Sequence, residues 1–134
     1  MKLKISPKKE NKELNVLLVE DNPINRRIAE LYLKSLGHHY DTATNGEIAL
    51  DKFSHNKYDL IIMDVNMPVM DGIEATKKIR EMEKNMNPTN KTKIFALTSN
   101  EYESSEMDCY NAGMDEFKQK PISIEEFSKY LTIA

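Results

Sequence analysis

Three runs of four uninterrupted apolar residues, Val16–Val19, Leu60–Met63 and Ile94–Leu97, constrain this chain more than any other feature. Each is too short for a globular helix, and each stops on a polar residue. Branched apolar runs of this length mark strands covered on both faces. The segments between them carry helical spacing instead. After Val19 the chain reads Glu20-Asp21-Asn22, and Pro23 suits the first turn of a helix. Ile24, Ile28, Leu31 and Leu36 then follow at helical intervals, and Gly37 supplies the stop.

The same alternation continues to the end. A more polar strand, expected nearer an edge, covers His39 to Thr44, and Asn45-Gly46 turns into a helix with Ile48, Ala49, Leu50 and Phe53. A helix from about Ile73 into the low 80s follows the third strand, and a polar connection with Pro88 follows that helix. A helix from roughly Glu101 to Ala112 is expected to turn Met107 and Tyr110 inward, with Gly113 closing it. A short fifth strand over Asp115 to Lys118, Lys120-Pro121 and a last helix using Ile124, Phe127 and Leu131 complete the chain. Five strands alternating with five helices require a parallel sheet covered on both faces, because each crossover is long and right-handed.

The 134 residues fit one domain, and 40% hydrophobic with 31% charged residues is enough for one core. The expected division is a polar tail or linker over 1–13 and one globular domain over 14–134. No stretch approaches the roughly 18 apolar residues of a membrane span, and the start lacks a secretory apolar centre. A single cysteine, Cys109, leaves no internal disulfide. These features predict a cytoplasmic domain without membrane contact. The net charge is −3, and the one basic cluster, Lys2 to Lys12, is interrupted by Glu10. Nucleic acid is therefore not expected as a direct partner, because phosphate neutralisation needs clustered Lys and Arg.

In sheets of this kind ligands bind at the carboxyl ends of the strands. The polar residues there are Glu20-Asp21, Asp64, Thr98 and Lys120, brought from four separate strand ends to one edge. Three close carboxylates raise the cost of ionising one another, and a divalent cation relieves that cost. Their hard oxygens suit magnesium; no Cys or His adjoins these strand ends in sequence. Asp64 follows the most apolar strand and is a candidate nucleophile toward phosphorus. Lys120 can hold a phosphoryl oxygen, and the Thr98 hydroxyl can donate another hydrogen bond. Taken singly, Asp64 reads as a turn cap and Thr98 as a structural hydroxyl. The three histidines read as structural or surface groups, Cys109 as an unreactive helix residue, and Met63, Met67 and Met70 as gap fillers.

Four segments in order, VEDNPINRR, IIMDVNMPVMDG, ALTS and the late KP, resemble the receiver domains of two-component response regulators. The likeness runs from Leu14 to the end. It implies a flavodoxin-like, doubly wound (βα)5 fold with strand order 2-1-3-4-5. It further implies that Asp64 is the phosphoacceptor, that Glu20 and Asp21 are the metal-binding pair, and that the Asn66 backbone carbonyl completes the protein ligands. Thr98 and Phe117 would be the switch residues and Lys120 the lysine of the site, with a cis bond before Pro121. Phe117 also reads as ordinary core. Glu20 stands where many members have Asp, Phe117 lacks a hydroxyl, and Ser99 replaces a common Ala.

The implied partner is a histidine kinase or histidine phosphotransfer domain. The implied output is a shift of the surface formed by the fourth helix, fifth strand and last helix, which could also support a weak dimer. VEDNPINRR and MPVMDG look most like receivers of hybrid sensor histidine kinases, while a free-standing single-domain regulator fits equally well. An aspartate-nucleophile phosphatase would need an acid two residues after Asp64, where Asn66 stands. A flavin carrier would need a phosphate-cradling loop after the first strand, and none is present.

Overall fold

The computed structural model describes residues 13–67, 69–86, 91–98 and 105–132. All but Glu13 of the expected tail lies outside these residues, as do Ser99 and the start of the expected 101–112 helix. The element order is β1(Asn15–Val19), α1(Pro23–Ser35), β2(His39–Ala43), α2(Gly46–His55), β3(Leu60–Asp64), α3(Gly72–Lys84), β4(Lys93–Thr98), α4(Ser105–Ala112), β5(Glu116–Gln119) and α5(Ile124–Thr132). The strands form one parallel sheet in the order β2-β1-β3-β4-β5. The polar second strand is an edge strand, as its composition predicts.

Local signals explain the helix starts. The Asn22 side chain accepts the backbone N–H groups of Ile24 and Asn25, both at 2.9 Å, and Pro23 opens α1. Asn45 accepts from Ile48 and Asp71 from Glu74, each at 2.9 Å. Such caps satisfy amide donors that a helix start leaves without partners. Gly37 and Gly113 end their helices with φ of 85° and 114°, a region glycine enters without steric cost.

The sheet separates two buried clusters. Leu17, Val19, Ile61, Met63, Ile94 and Ala96 face α2, α3 and α4 together with Ala49, Phe53, Ala75, Ile79 and Cys109. Val16, Leu18, Leu60, Ile62, Phe95 and Leu97 face α1 and α5, against Ala29, Leu33, Phe127 and Leu131. The two-residue period of a strand sends neighbours to opposite sides, so the continuous apolar runs feed both clusters.

Two helical faces differ from the sequence expectation. In α1 the buried residues are Ala29 and Leu33, whereas Ile24, Ile28 and Leu31 are largely exposed. At 100° per residue, that stripe lies about 150° around the helix from Ala29 and Leu33. In α4, Met107 and Tyr110 point outward, 67% and 43% exposed, and Cys109 and Ala112 are buried. Small residues let α4 approach closely, so residue size decides the face there rather than hydropathy. Burial pushes the Cys109 thiol up to about 11, with neighbouring acidic charges adding to it.

Candidate metal centre

Glu20 directly follows β1, Asp64 ends β3, Thr98 ends β4 and Lys120 directly follows β5. Parallel pairing in register therefore delivers all four to the carboxyl edge of the sheet. Backbone hydrogen bonds fix the strand ends: the Val65 N–H donates to Leu97 O at 2.9 Å, and the Lys120 N–H to Thr98 O at 2.7 Å. The Lys120–Pro121 bond is cis.

Carboxylate oxygens of Glu20, Asp21 and Asp64 lie within 4.8 Å of one another. Glu20 and Asp64 are buried, 4% and 3% exposed, while Asp21 is half-buried. The Lys120 ammonium lies 2.8 Å from Glu20 Oε1 and 3.6 Å from Asp64 Oδ1. Burial chiefly, then the Glu20 charge and a hydrogen bond with Glu20, push the Asp64 carboxyl up to about 8. Lys120 and the Asn66 N–H, which donates to Asp64 Oδ1 at 3.1 Å, oppose that rise. Three carboxylates against the one Lys120 ammonium give the cluster a surplus of acidic groups. Three hard oxygen donors with that surplus suit a divalent cation of the magnesium type.

The Thr98 hydroxyl donates to the Asn66 side-chain Oδ1 at 3.2 Å. Phe117 lies apart from the acidic cluster; it pairs in register with Ala96 and packs at the fringe of the α2–α4 core. Met63 is buried, and Met67 and Met70 pack against the same core. His38 serves the fold: its Nδ1 accepts the Leu14 N–H at 3.0 Å.

Two contributors carry no sequence signal. Arg26 on α1 donates through one nitrogen to Glu20 O at 3.1 Å and Asp21 O at 3.5 Å, clasping the main chain of the acidic pair. Gly46, which reads from sequence as half of a turn, touches the loop after β3. Both act on backbone carbonyls of other segments, and a contact to a carbonyl leaves no trace in the identity of its acceptor. Between α1 and the β5–α5 turn, a groove of about 330 Å³ opens beside Glu20 and Lys120, with Ile28, Tyr32 and Ile122 in its walls.

A parallel sheet in this order, with a carboxylate trio and a lysine at its carboxyl edge, defines a receiver domain of two-component phosphorelay signalling rather than a metabolic enzyme. Comparison with known proteins agrees: residues 16–132 match the response regulator receiver domain, and the chain belongs to that family. Histidine kinase 5 of Arabidopsis thaliana is 37% identical over 92% of this chain and 16% of its own length. Two-component response regulator 24 of the same plant is 38% identical over 90% of this chain and 81% of its own. The chain thus spans only a small part of the first of these relatives.

Among solved structures, the receiver domain of a Pseudomonas aeruginosa sensor histidine kinase, with magnesium coordinated in its active-site cleft, is 34% identical. It covers 91% of this chain and 97% of its own, with a TM-score of 0.80. The complex of the Saccharomyces cerevisiae phosphotransfer protein Ypd1 with the receiver domain of Ssk1 supplies a neighbour 32% identical. That likeness covers 90% of this chain and 87% of the other, with a TM-score of 0.80. Among the described residues, no helix is long and apolar enough to cross a membrane.

Proposed function

We propose that this domain takes a phosphoryl group from a phosphohistidine onto Asp64, with magnesium held by the Glu20, Asp21 and Asp64 carboxylates and the Asn66 backbone carbonyl. The observation that carries the reading is the carboxylate trio with Lys120 set between Glu20 and Asp64. In the transfer, an Asp64 oxygen forms a bond to phosphorus as the bond to the donor imidazole nitrogen breaks, and the electron pair leaves with the ring. When bound, magnesium supplies neutralisation of the phosphoryl oxygens. Lys120 takes a phosphoryl oxygen, within reach of its position beside Asp64.

The new group adds about −1.5 to −2 charges at pH 7. The Thr98 hydroxyl leaves Asn66 for a phosphoryl oxygen, and Phe117, only partly buried, moves into the vacated space. The α4–β5–α5 face then shifts population, and the same face supports a weak dimer. The only chemistry catalysed is the domain's own phosphorylation and dephosphorylation. A phosphatase acting on other substrates is disfavoured by Asn66, which cannot serve as general acid.

The donor is a histidine kinase or a histidine phosphotransfer domain. Supporting this are the yeast neighbour solved with its phosphotransfer protein and the exposed Ile24, Ile28 and Leu31 of α1 beside the groove at Glu20 and Lys120. The parent is a hybrid sensor kinase or a single-domain regulator, and the domain works in the cytoplasm, without direct contact with membrane or nucleic acid.

Incubation with magnesium and acetyl phosphate, followed by intact mass, tests the acceptor. One added phosphoryl group is expected in wild type and none in Asp64→Asn or in EDTA. An equal gain in Asp64→Asn would remove Asp64 from the role.

A further inference from the structure

We propose that Gly46 is a positioning residue for the metal centre. Its lack of a side chain lets the β3–α3 loop dock on the first turn of α2, and that docking sets where the Asn66 carbonyl stands. The inference rests on the reading that this carbonyl is a magnesium ligand.

The loop is held at two places by glycines that stand against main chain. At its base the Gly72 N–H donates to Val65 O at 3.0 Å, and a Cβ on Gly72 would strike the Asp64 carbonyl oxygen. Further out, two residues before α3, Met70 O accepts the Gly46 N–H at 3.2 Å. A Cβ on Gly46 would stand 2.7 Å from Met70 O, 2.8 Å from Met70 Cγ and 2.9 Å from Met70 Cβ. The side chain of Met70 could swing aside, but its carbonyl cannot move without the loop. Asn66 lies between these anchors and is tied in turn to Asp64 and Thr98.

Val69, beside Met70, has φ of 71°. A β-branched residue persists in that region only where its surroundings over-determine the backbone, which is expected of a loop pinned on both sides. Gly46 has no positive φ of its own, so the requirement is for space and not for conformational freedom. On an unobstructed helix, Gly→Ala is favourable. A loss in Gly46→Ala would therefore report the contact and not the helix.

The test compares wild type with Gly46→Ala, Gly113→Ala and Asp64→Asn as full chains. Magnesium chloride alone is titrated by calorimetry well below each melting temperature, and each protein is also melted in EDTA. Gly46→Ala is expected to bind magnesium about tenfold more weakly, the usual scale for a group that orients a ligand. Its Asn66 amide resonance should move as well. Gly113→Ala forces a Cβ against Arg80 at the opposite end of the sheet; it should lose stability with unchanged affinity. Should Gly46→Ala not fold, Met70→Ala is compared with the Gly46→Ala/Met70→Ala double variant. The clash with the Met70 carbonyl persists in the double variant, so it should bind tenfold more weakly than Met70→Ala.

Affinity in Gly46→Ala within twofold of wild type overturns the proposal, as does equal weakening in Gly113→Ala. No magnesium heat in wild type would sink the metal reading itself. Binding in wild type that is retained in Gly46→Ala sinks the positioning role alone.

Discussion

Glu20 and Lys120 stand 100 residues apart in the chain, yet the Lys120 ammonium donates to Glu20 Oε1 at 2.8 Å, with both side chains largely buried. Removing one partner of a buried pair leaves the other charge uncompensated, at a cost of about 3–5 kcal/mol. Lys120→Met is expected to lower stability in EDTA by about 2 kcal/mol or more, and saturating magnesium should restore a share. Urea unfolding with and without the metal measures both. A variant as stable as wild type in EDTA would show that the pair contributes nothing.

Asp64 gives a stability profile with a definite sign. Its carboxyl is raised from 3.8 to about 8, by burial first and by Glu20 second. Between those values the folded chain keeps a proton that the unfolded chain releases, so stability falls as pH rises. The contribution is fully present below about pH 4 and gone once pH has passed through about 8. Asp64→Asn cannot ionise and lacks that slope. In EDTA, its advantage over wild type should widen from pH 5 to pH 8, read from urea midpoints at the two pH values. A constant difference would place the Asp64 carboxyl in the ordinary range.

Val69 holds a left-handed backbone while 73% exposed. That conformation costs a residue with a Cβ about 1–2 kcal/mol, and glycine gives back about 0.5–1 kcal/mol through its freer unfolded chain. Val69→Gly should therefore stabilise the protein by about 0.5–1 kcal/mol, seen as a higher melting temperature. A lower one would mean that the Val69 side chain makes a contact outweighing the strain.

Thr76 on α3 is fully buried, and its hydroxyl has no hydrogen-bond partner among the described residues. An unpaired buried hydroxyl costs about 1–3 kcal/mol. Thr76→Val keeps the shape and removes the polar atom, so a gain of about 1 kcal/mol is expected in chemical denaturation. Destabilisation would reveal a hidden acceptor for the hydroxyl.

The three central strands and the residues at their ends were readable because burial on both faces writes itself as an unbroken apolar run, and each run stops where the carboxyl edge begins. Helix faces were less so. On α1 the isoleucines outrank Ala29 in hydropathy, yet Ala29 packs on the sheet and Ile24 faces solvent. On α4 the same preference favoured Met107 over Cys109. Amphipathic spacing identifies a helix, but which of its faces is covered depends on how close its neighbours come. Arg26, Gly46 and the Thr98–Asn66 hydrogen bond escaped for another reason: each depends on which distant segment lies opposite, information that resides in the folded arrangement.

The sheet that separates the two buried clusters also separates their histories. A methyl group lost beneath α1 and α5 leaves a void that only Leu33, Phe127 and their own neighbours can close. The cluster beneath α2, α3 and α4 lies across the sheet from that void. Changes on opposite sides should combine additively, within about 0.5 kcal/mol for well-separated positions. One flank can thus be recut for a new neighbour while the other keeps its form, with Asp64 anchored in the wall between them.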